Sequence, residues 1–126
     1  MFNDRSVMIV EDNVFLAFDL SQAIEELDGR VIGPTDQVSQ ALELLDNAEV
    51  AAAIVDGHLL GQDVAMLIKS LAERRIPFII YAETELPEGM SALHPTVPVL
   101  RKPVQPRTVL ECLSAEMHKT KGRYLE

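Results

Sequence analysis

The chain has one cysteine, Cys112, and no tryptophan among its 126 residues. A lone thiol excludes an internal disulfide and any cysteine-based zinc site. Basic residues are scarce: 11 Lys and Arg stand against 20 Asp and Glu, a formal net charge of −9. That balance argues against nucleic acid as a direct partner, because neutralising phosphates requires a basic face. No apolar run approaches the roughly 18 residues of a membrane span. The start offers no secretion signal either, since residues 1–6 are polar and Val7-Met8-Ile9-Val10 is too short for a signal core. The expectation is a cytoplasmic protein with no membrane partner.

What is present is an ordinary globular balance, 48% hydrophobic and 25% charged, in a length that suits one core. Apolar runs alternate with helical patterns. Val7-Met8-Ile9-Val10 reads as a strand buried on both faces. Ala17, Leu20, Ile24 and Leu27 recur at helical spacing, and Asp28-Gly29 ends that helix with Gly29 as the left-handed cap. Arg30-Val31-Ile32-Gly33-Pro34 is a second strand that Gly-Pro terminates. Val38, Ala41, Leu42 and Leu45 mark a second helix, with Asp36 or Ser39 as candidate caps.

Ala51-Ala52-Ala53-Ile54-Val55 is a third strand, stopped by Asp56-Gly57. Val64, Leu67, Ile68 and Leu71 define a third helix, and Pro77 opens the strand Phe78-Ile79-Ile80-Tyr81, with the Tyr81 hydroxyl expected in water. Residues 83–95 hold Pro87, Gly89 and Pro95, which leaves room for a short or disordered fourth helix at most. Residues 97–100 form a fifth strand before Arg101-Lys102-Pro103, and Val109, Leu110, Leu113 and Met117 give a last helix. Residues 1–118 are expected to form one domain, and 119–126 a polar tail that frays. The alternation predicts an α/β, doubly wound, five-stranded parallel sheet in the flavodoxin-like order 2-1-3-4-5.

In such a sheet ligands sit beyond the carboxyl ends of the strands. Glu11 and Asp12 follow strand one, Asp56 follows strand three and Lys102 follows strand five. Taken singly, Glu11-Asp12 could cap a helix and Asp56-Gly57 could be a turn. Taken together, three carboxylates at one sheet edge repel and call for a cation. Mg²⁺ suits carboxylates, waters and a phosphate, and a lysine supplies a point charge for an anion. Metal, carboxylate nucleophile and lysine describe phosphoryl transfer.

Over nearly its whole length the chain resembles the response-regulator receiver domain, through Val7-Met8-Ile9-Val10-Glu11-Asp12-Asn13, Ala53-Ile54-Val55-Asp56 and Arg101-Lys102-Pro103. The resemblance implies that Asp56 is the phospho-acceptor. It implies that Glu11, Asp12 and Asp56 hold Mg²⁺ with the main-chain carbonyl of His58, and that Lys102 contacts the phosphoryl group across a cis Lys102–Pro103 bond. It also exposes departures. The usual Thr or Ser at the end of strand four is Ala82, which has no donor, and Thr84 is the candidate substitute. The aromatic usual on strand five is absent near Val99 and Leu100.

The implied function is two-component signal transduction by a stand-alone receiver, not a metabolic enzyme. A histidine kinase or phosphotransfer protein would phosphorylate it, and it would act by partner binding or as a phosphate sink. The alternative is a degenerate receiver that binds partners without phosphorylation. A phosphatase would want an acid where His58 stands, and a flavin carrier a glycine- and hydroxyl-rich loop where Glu11-Asp12-Asn13 stands.

Overall fold

The computed structural model describes residues 1–84 and 98–125, with the side chains of the last helix described as far as Lys119. The elements are β1 Ser6–Val10, α1 Val14–Glu26, β2 Arg30–Thr35, α2 Val38–Asn47, β3 Ala52–Asp56, α3 Ala65–Glu73, β4 Phe78–Ala82, β5 Val99–Arg101 and α4 Pro106–Leu125. All strand pairs are parallel, in the order β2-β1-β3-β4-β5. This is the predicted doubly wound sheet. The short fourth helix expected within residues 83–95 lies, from residue 85 onward, outside the described residues.

Every residue of β3 and β4 is buried, as continuous apolar runs between two helical layers must be. Alternation then splits the core. Val7, Ile9, Ile54, Ile79 and Tyr81 face one cluster, with Leu20 and Ile24 of α1 and Leu110 and Leu113 of α4. Met8, Val10, Ala53, Val55 and Ile80 face the other, with Ala41 of α2 and Leu67, Ile68 and Leu71 of α3. Each buried Leu or Ile contributes about 1.5–3 kcal/mol, and these two layers set the sheet edge on which the polar residues converge.

Four local expectations are corrected. β2 does not stop at Gly33-Pro34 but continues to Thr35, which pairs with Val10 after a register irregularity. Gly33 takes a φ of 90° there, and an edge strand tolerates a proline because its outer side needs no donor. The left-handed residue after α1 is Asp28, at φ 64°, rather than Gly29. Gly29 is needed for space instead, since a Cβ there would lie 2.6 Å from Ile24 Cγ2. α2 is capped by neither Asp36 nor Ser39. Its N-cap is Gln37, and the Val38 N–H donates to Gln62 Oε1 at 2.8 Å. The last helix runs on to Leu125, through the stretch read as a tail, after starting at Pro106, whose missing N–H costs nothing in a first turn.

Candidate functional site

Parallel register brings the ends of four strands side by side: Val10 pairs with Val55, Asp56 with Tyr81, and Ala82 with Arg101. Glu11, Asp12, Asp56 and Lys102 therefore meet at one edge. Carboxylate oxygens of Glu11, Asp12 and Asp56 lie within 4.8 Å of one another. Lys102 Nζ lies 3.0 Å from Glu11 Oε1, 3.2 Å from Glu11 Oε2 and 3.5 Å from Asp56 Oδ2. The side chains of Glu11, Asp56 and Lys102 are 1%, 3% and 10% exposed, so these charges act through little water.

The chain around them fixes their roles. Asn13 is the N-cap of α1, its side chain accepting from the Leu16 N–H at 3.1 Å. That leaves Glu11 and Asp12 free of the capping duty they could have had. Glu11 Oε2 accepts from the Asn13 N–H at 3.0 Å. Asp56 Oδ1 accepts from the His58 N–H at 2.9 Å, which anchors the carboxylate from its own loop. Asp12 is exposed, and its Oδ2 accepts from the Leu60 N–H at 3.0 Å, tying the β3–α3 loop to the acidic pair.

Electrostatics separates the carboxyls. Burial pushes Glu11 up to about 7, beyond what the Asn13 N–H recovers, and the neighbouring Asp56 charge adds to the rise. Burial would also raise Asp56, but the His58 N–H, hydrogen bonding with the Glu11 and Asp12 side chains, and the Lys102 charge outweigh it and hold Asp56 below its ordinary value. Burial would lower Lys102, and Glu11 with Asp56 reverses that. A charged Asp56 beside a protonatable Glu11 is the arrangement that three crowded carboxyls adopt with one lysine to balance them.

A divalent cation fits this donor set. Three carboxyl groups against one ammonium leave a surplus of negative charge when all are ionised, and all the ligand atoms are hard oxygens. Glu11, Asp12 and Asp56 would hold the ion.

The remaining predicted residues lie around this centre. Ala82 is fully buried at the end of β4, and its carbonyl accepts from the Lys102 N–H at 2.8 Å, which places the lysine but offers no hydroxyl. Thr84 is exposed, with Oγ1 3.3 Å from His58 Nε2. The Lys102–Pro103 bond is cis. Tyr81 departs from expectation. It is 1% exposed, and its hydroxyl is bonded to the Val104 backbone instead of water. Its ring centroid lies 5.4 Å from Lys102 Nζ, a cation–π distance. The only signal for this was a tyrosine ending an otherwise apolar strand.

No protein-family model and no curated protein matches the chain. Solved structures do. A signal receiver domain of a modulated diguanylate cyclase from Desulfovibrio desulfuricans G20 is 26% identical, with a TM-score of 0.84 over 95% of this chain and 98% of that one. A CheY-like response regulator receiver domain protein from Methanospirillum hungatei JF-1 is 19% identical, with a TM-score of 0.83 over 95% and 98%. The receiver domain of a sensor histidine kinase from Pseudomonas aeruginosa PAO1, with a magnesium ion coordinated in its active site cleft, is 20% identical, with a TM-score of 0.75 over 91% and 98%. The chain has the fold of CheY-like response-regulator receiver domains over nearly its whole length.

Proposed function

We propose, from the receiver fold and the pocket at its sheet edge, that this protein is a phospho-acceptor of two-component signal transduction. The observation that carries the reading is Asp56, a buried carboxylate kept ionised between the His58 N–H at 2.9 Å and Lys102 Nζ at 3.5 Å, among two further carboxyls. An Asp56 oxygen attacks the phosphorus of the donor, the bond from phosphorus to the donor's nitrogen or oxygen breaks, and an acyl phosphate forms on Asp56. Lys102, freed from part of its pairing, takes up the charge of the incoming phosphoryl oxygens. Mg²⁺, held by Glu11, Asp12, Asp56 and the His58 carbonyl, would supply charge neutralisation at the phosphoryl group.

On this reading the donor is a histidine kinase or a phosphotransfer protein. The output is partner binding or the draining of phosphoryl groups, rather than turnover of a metabolite. The location that goes with this reading is the cytoplasm; among the described residues no helix is long and apolar enough to cross a membrane. Acetyl phosphate with Mg²⁺ should add one phosphoryl mass to the wild type and none to Asp56→Asn, read by intact mass spectrometry. Addition of the same mass to both proteins would place the modification elsewhere.

One observation favours a second reading, a receiver that binds partners without phosphorylation: Ala82 puts a buried methyl where a phosphoryl-binding hydroxyl would be needed. Absence of any Asp56-dependent label from acetyl phosphate or a kinase decides for that reading.

A further inference from the structure

A groove of about 570 Å³ runs along α1, on the side facing the β2–α2 loop, and ends at Glu11 and Asp12. Its apolar strip is Val14, Ala17, Phe18 and Pro34. Val14 and Phe18 are 76% and 59% exposed, which is uncommon for a pair of large apolar residues one helical turn apart. Among the described residues, the charged ones along it are Glu11, Asp12, Glu25 and Asp36, and no Lys or Arg lines it. Buried Glu11 is already paired with Lys102, so the charge available to an occupant comes from Asp12, Glu25 and Asp36.

The wall opposite α1 is tied in place. Thr35 Oγ1 donates to Gln40 Oε1 and accepts from the Gln37 N–H. Gln62 bridges from the β3–α3 loop, donating to Asp36 O at 2.7 Å and accepting from the Val38 N–H. The Glu11 N–H holds Thr35 O at 2.9 Å. A groove held this way requires little ordering when something enters it, which favours affinity.

Charge decides the occupant. A second copy of this chain would bring another −9 to an acidic groove. The chain's own residues 85–97 hold Glu85 and Glu88 and no Lys or Arg. What complements the strip is an apolar anchor flanked by cations. We infer that the α1–β2/α2 groove docks a basic amphipathic segment of a partner protein, with an aliphatic or aromatic side chain on Val14 and Phe18 and Lys or Arg against Glu25 and Asp36. The three-turn run Val14, Phe18, Ser21, Glu25 along one side of α1 suits a helix laid beside it. This surface needs no phosphoryl group, so its test is independent of Asp56 chemistry.

The probe is a short synthetic helix with Leu on one face and Lys and Arg on the other, titrated into the ¹⁵N-labelled full chain without Mg²⁺ or phosphoryl donor. A scrambled peptide of the same composition and a version with Glu for the cations are the controls. The expected result is amide shifts at Val14, Phe18, Gln22, Thr35 and Gln40, with affinity weakened about tenfold by Phe18→Ala and severalfold by Glu25→Lys. Both positions are exposed, and spectra unchanged away from the groove confirm that the variants fold. No binding, equal binding of the scrambled or acidic peptide, shifts spread over the whole surface, or indifference to Phe18→Ala would each overturn the inference.

Discussion

The Tyr81 hydroxyl and the Val104 backbone are bonded twice: the hydroxyl donates to Val104 O at 3.0 Å and accepts from Val104 N–H at 3.0 Å. Tyr81 sits at the Asp56 register of β4 and Val104 lies two residues beyond Lys102. The pair thus ties the loop that carries the lysine to the strand beside Asp56. With the ring 5.4 Å from Lys102 Nζ, Tyr81 restrains both the backbone and the head of that lysine.

Removing only the hydroxyl separates the two effects. Tyr81→Phe leaves the ring and strands two backbone groups of Val104, at a cost of about 1–3 kcal/mol. Urea unfolding should show that loss as a lower midpoint with an unchanged slope. Labelling of Asp56 by acetyl phosphate should fall as well, because the loop that sets Lys102 loosens. A variant as stable as the wild type would show that the paired bonds are idle.

The surplus negative charge of the pocket gives a second expectation. Mg²⁺ that binds only the folded state stabilises it by RT ln(1 + [Mg²⁺]/Kd), about 1.4 kcal/mol at ten times Kd. Thermal scans of the wild type should rise with Mg²⁺ and hardly move with Na⁺ at matched ionic strength. Glu11→Gln removes one of the three carboxylates and should lose most of the Mg²⁺ response while remaining folded, since Gln still accepts from the Asn13 N–H. Equal Mg²⁺ responses in the two proteins would take Glu11 out of the ion site.

The same residue fixes a pH dependence. Burial raises Glu11 in the metal-free folded protein from 4.5 to about 7. Between those values the folded state binds the extra proton, so Glu11's contribution to stability is fully present below pH 4.5 and is lost as pH rises through 7. Mg²⁺ displaces that proton, so its affinity should rise over the same interval and level off above it. Asp56 is shifted the other way, so its own linkage lies at lower pH and leaves this window clear. Metal-free and Mg²⁺-saturated melts from pH 5 to 8 should therefore diverge with rising pH in the wild type and run parallel in Glu11→Gln.

The parts of this molecule legible in its sequence are those dictated by neighbours along the chain. Val7-Met8-Ile9-Val10 and Phe78-Ile79-Ile80-Tyr81 read as buried strands from their own residues, and parallel alternation then brings Glu11, Asp56 and Lys102 to one edge. What was not legible depends on partners far away. Gln62 caps α2 from 24 residues downstream, and Leu60 reaches Asp12 across 48 residues. The Tyr81 hydroxyl finds Val104 only once β5 lies beside β4. Gly33-Pro34 looks like a terminator until β2 is seen to be an edge strand.

The missing hydroxyl of β4 gives the last expectation. Ala82 is fully buried and pairs with Arg101, one residue from Lys102, so a hydroxyl there would lie at the strand end from which Lys102 approaches Asp56. Thr84 carries the nearest hydroxyl downstream on this strand's exit, and its Oγ1 faces His58 Nε2 at 3.3 Å, on the loop that also donates to Asp56. If Thr84 serves the phosphoryl group in place of residue 82, Thr84→Ala should lower the labelled fraction of Asp56 at fixed acetyl phosphate, and adding Ala82→Ser should restore it. A hydrogen bond to a charged group is worth about 1.5–3 kcal/mol, so the change in the labelling equilibrium should be about tenfold or more. Ala82→Ser alone should cost about 1–2 kcal/mol in the unphosphorylated protein, where the new hydroxyl enters a dry site, and urea midpoints would reveal it. Labelling insensitive to both substitutions would mean that Lys102 and the metal site hold the phosphoryl group without help from any strand-four hydroxyl.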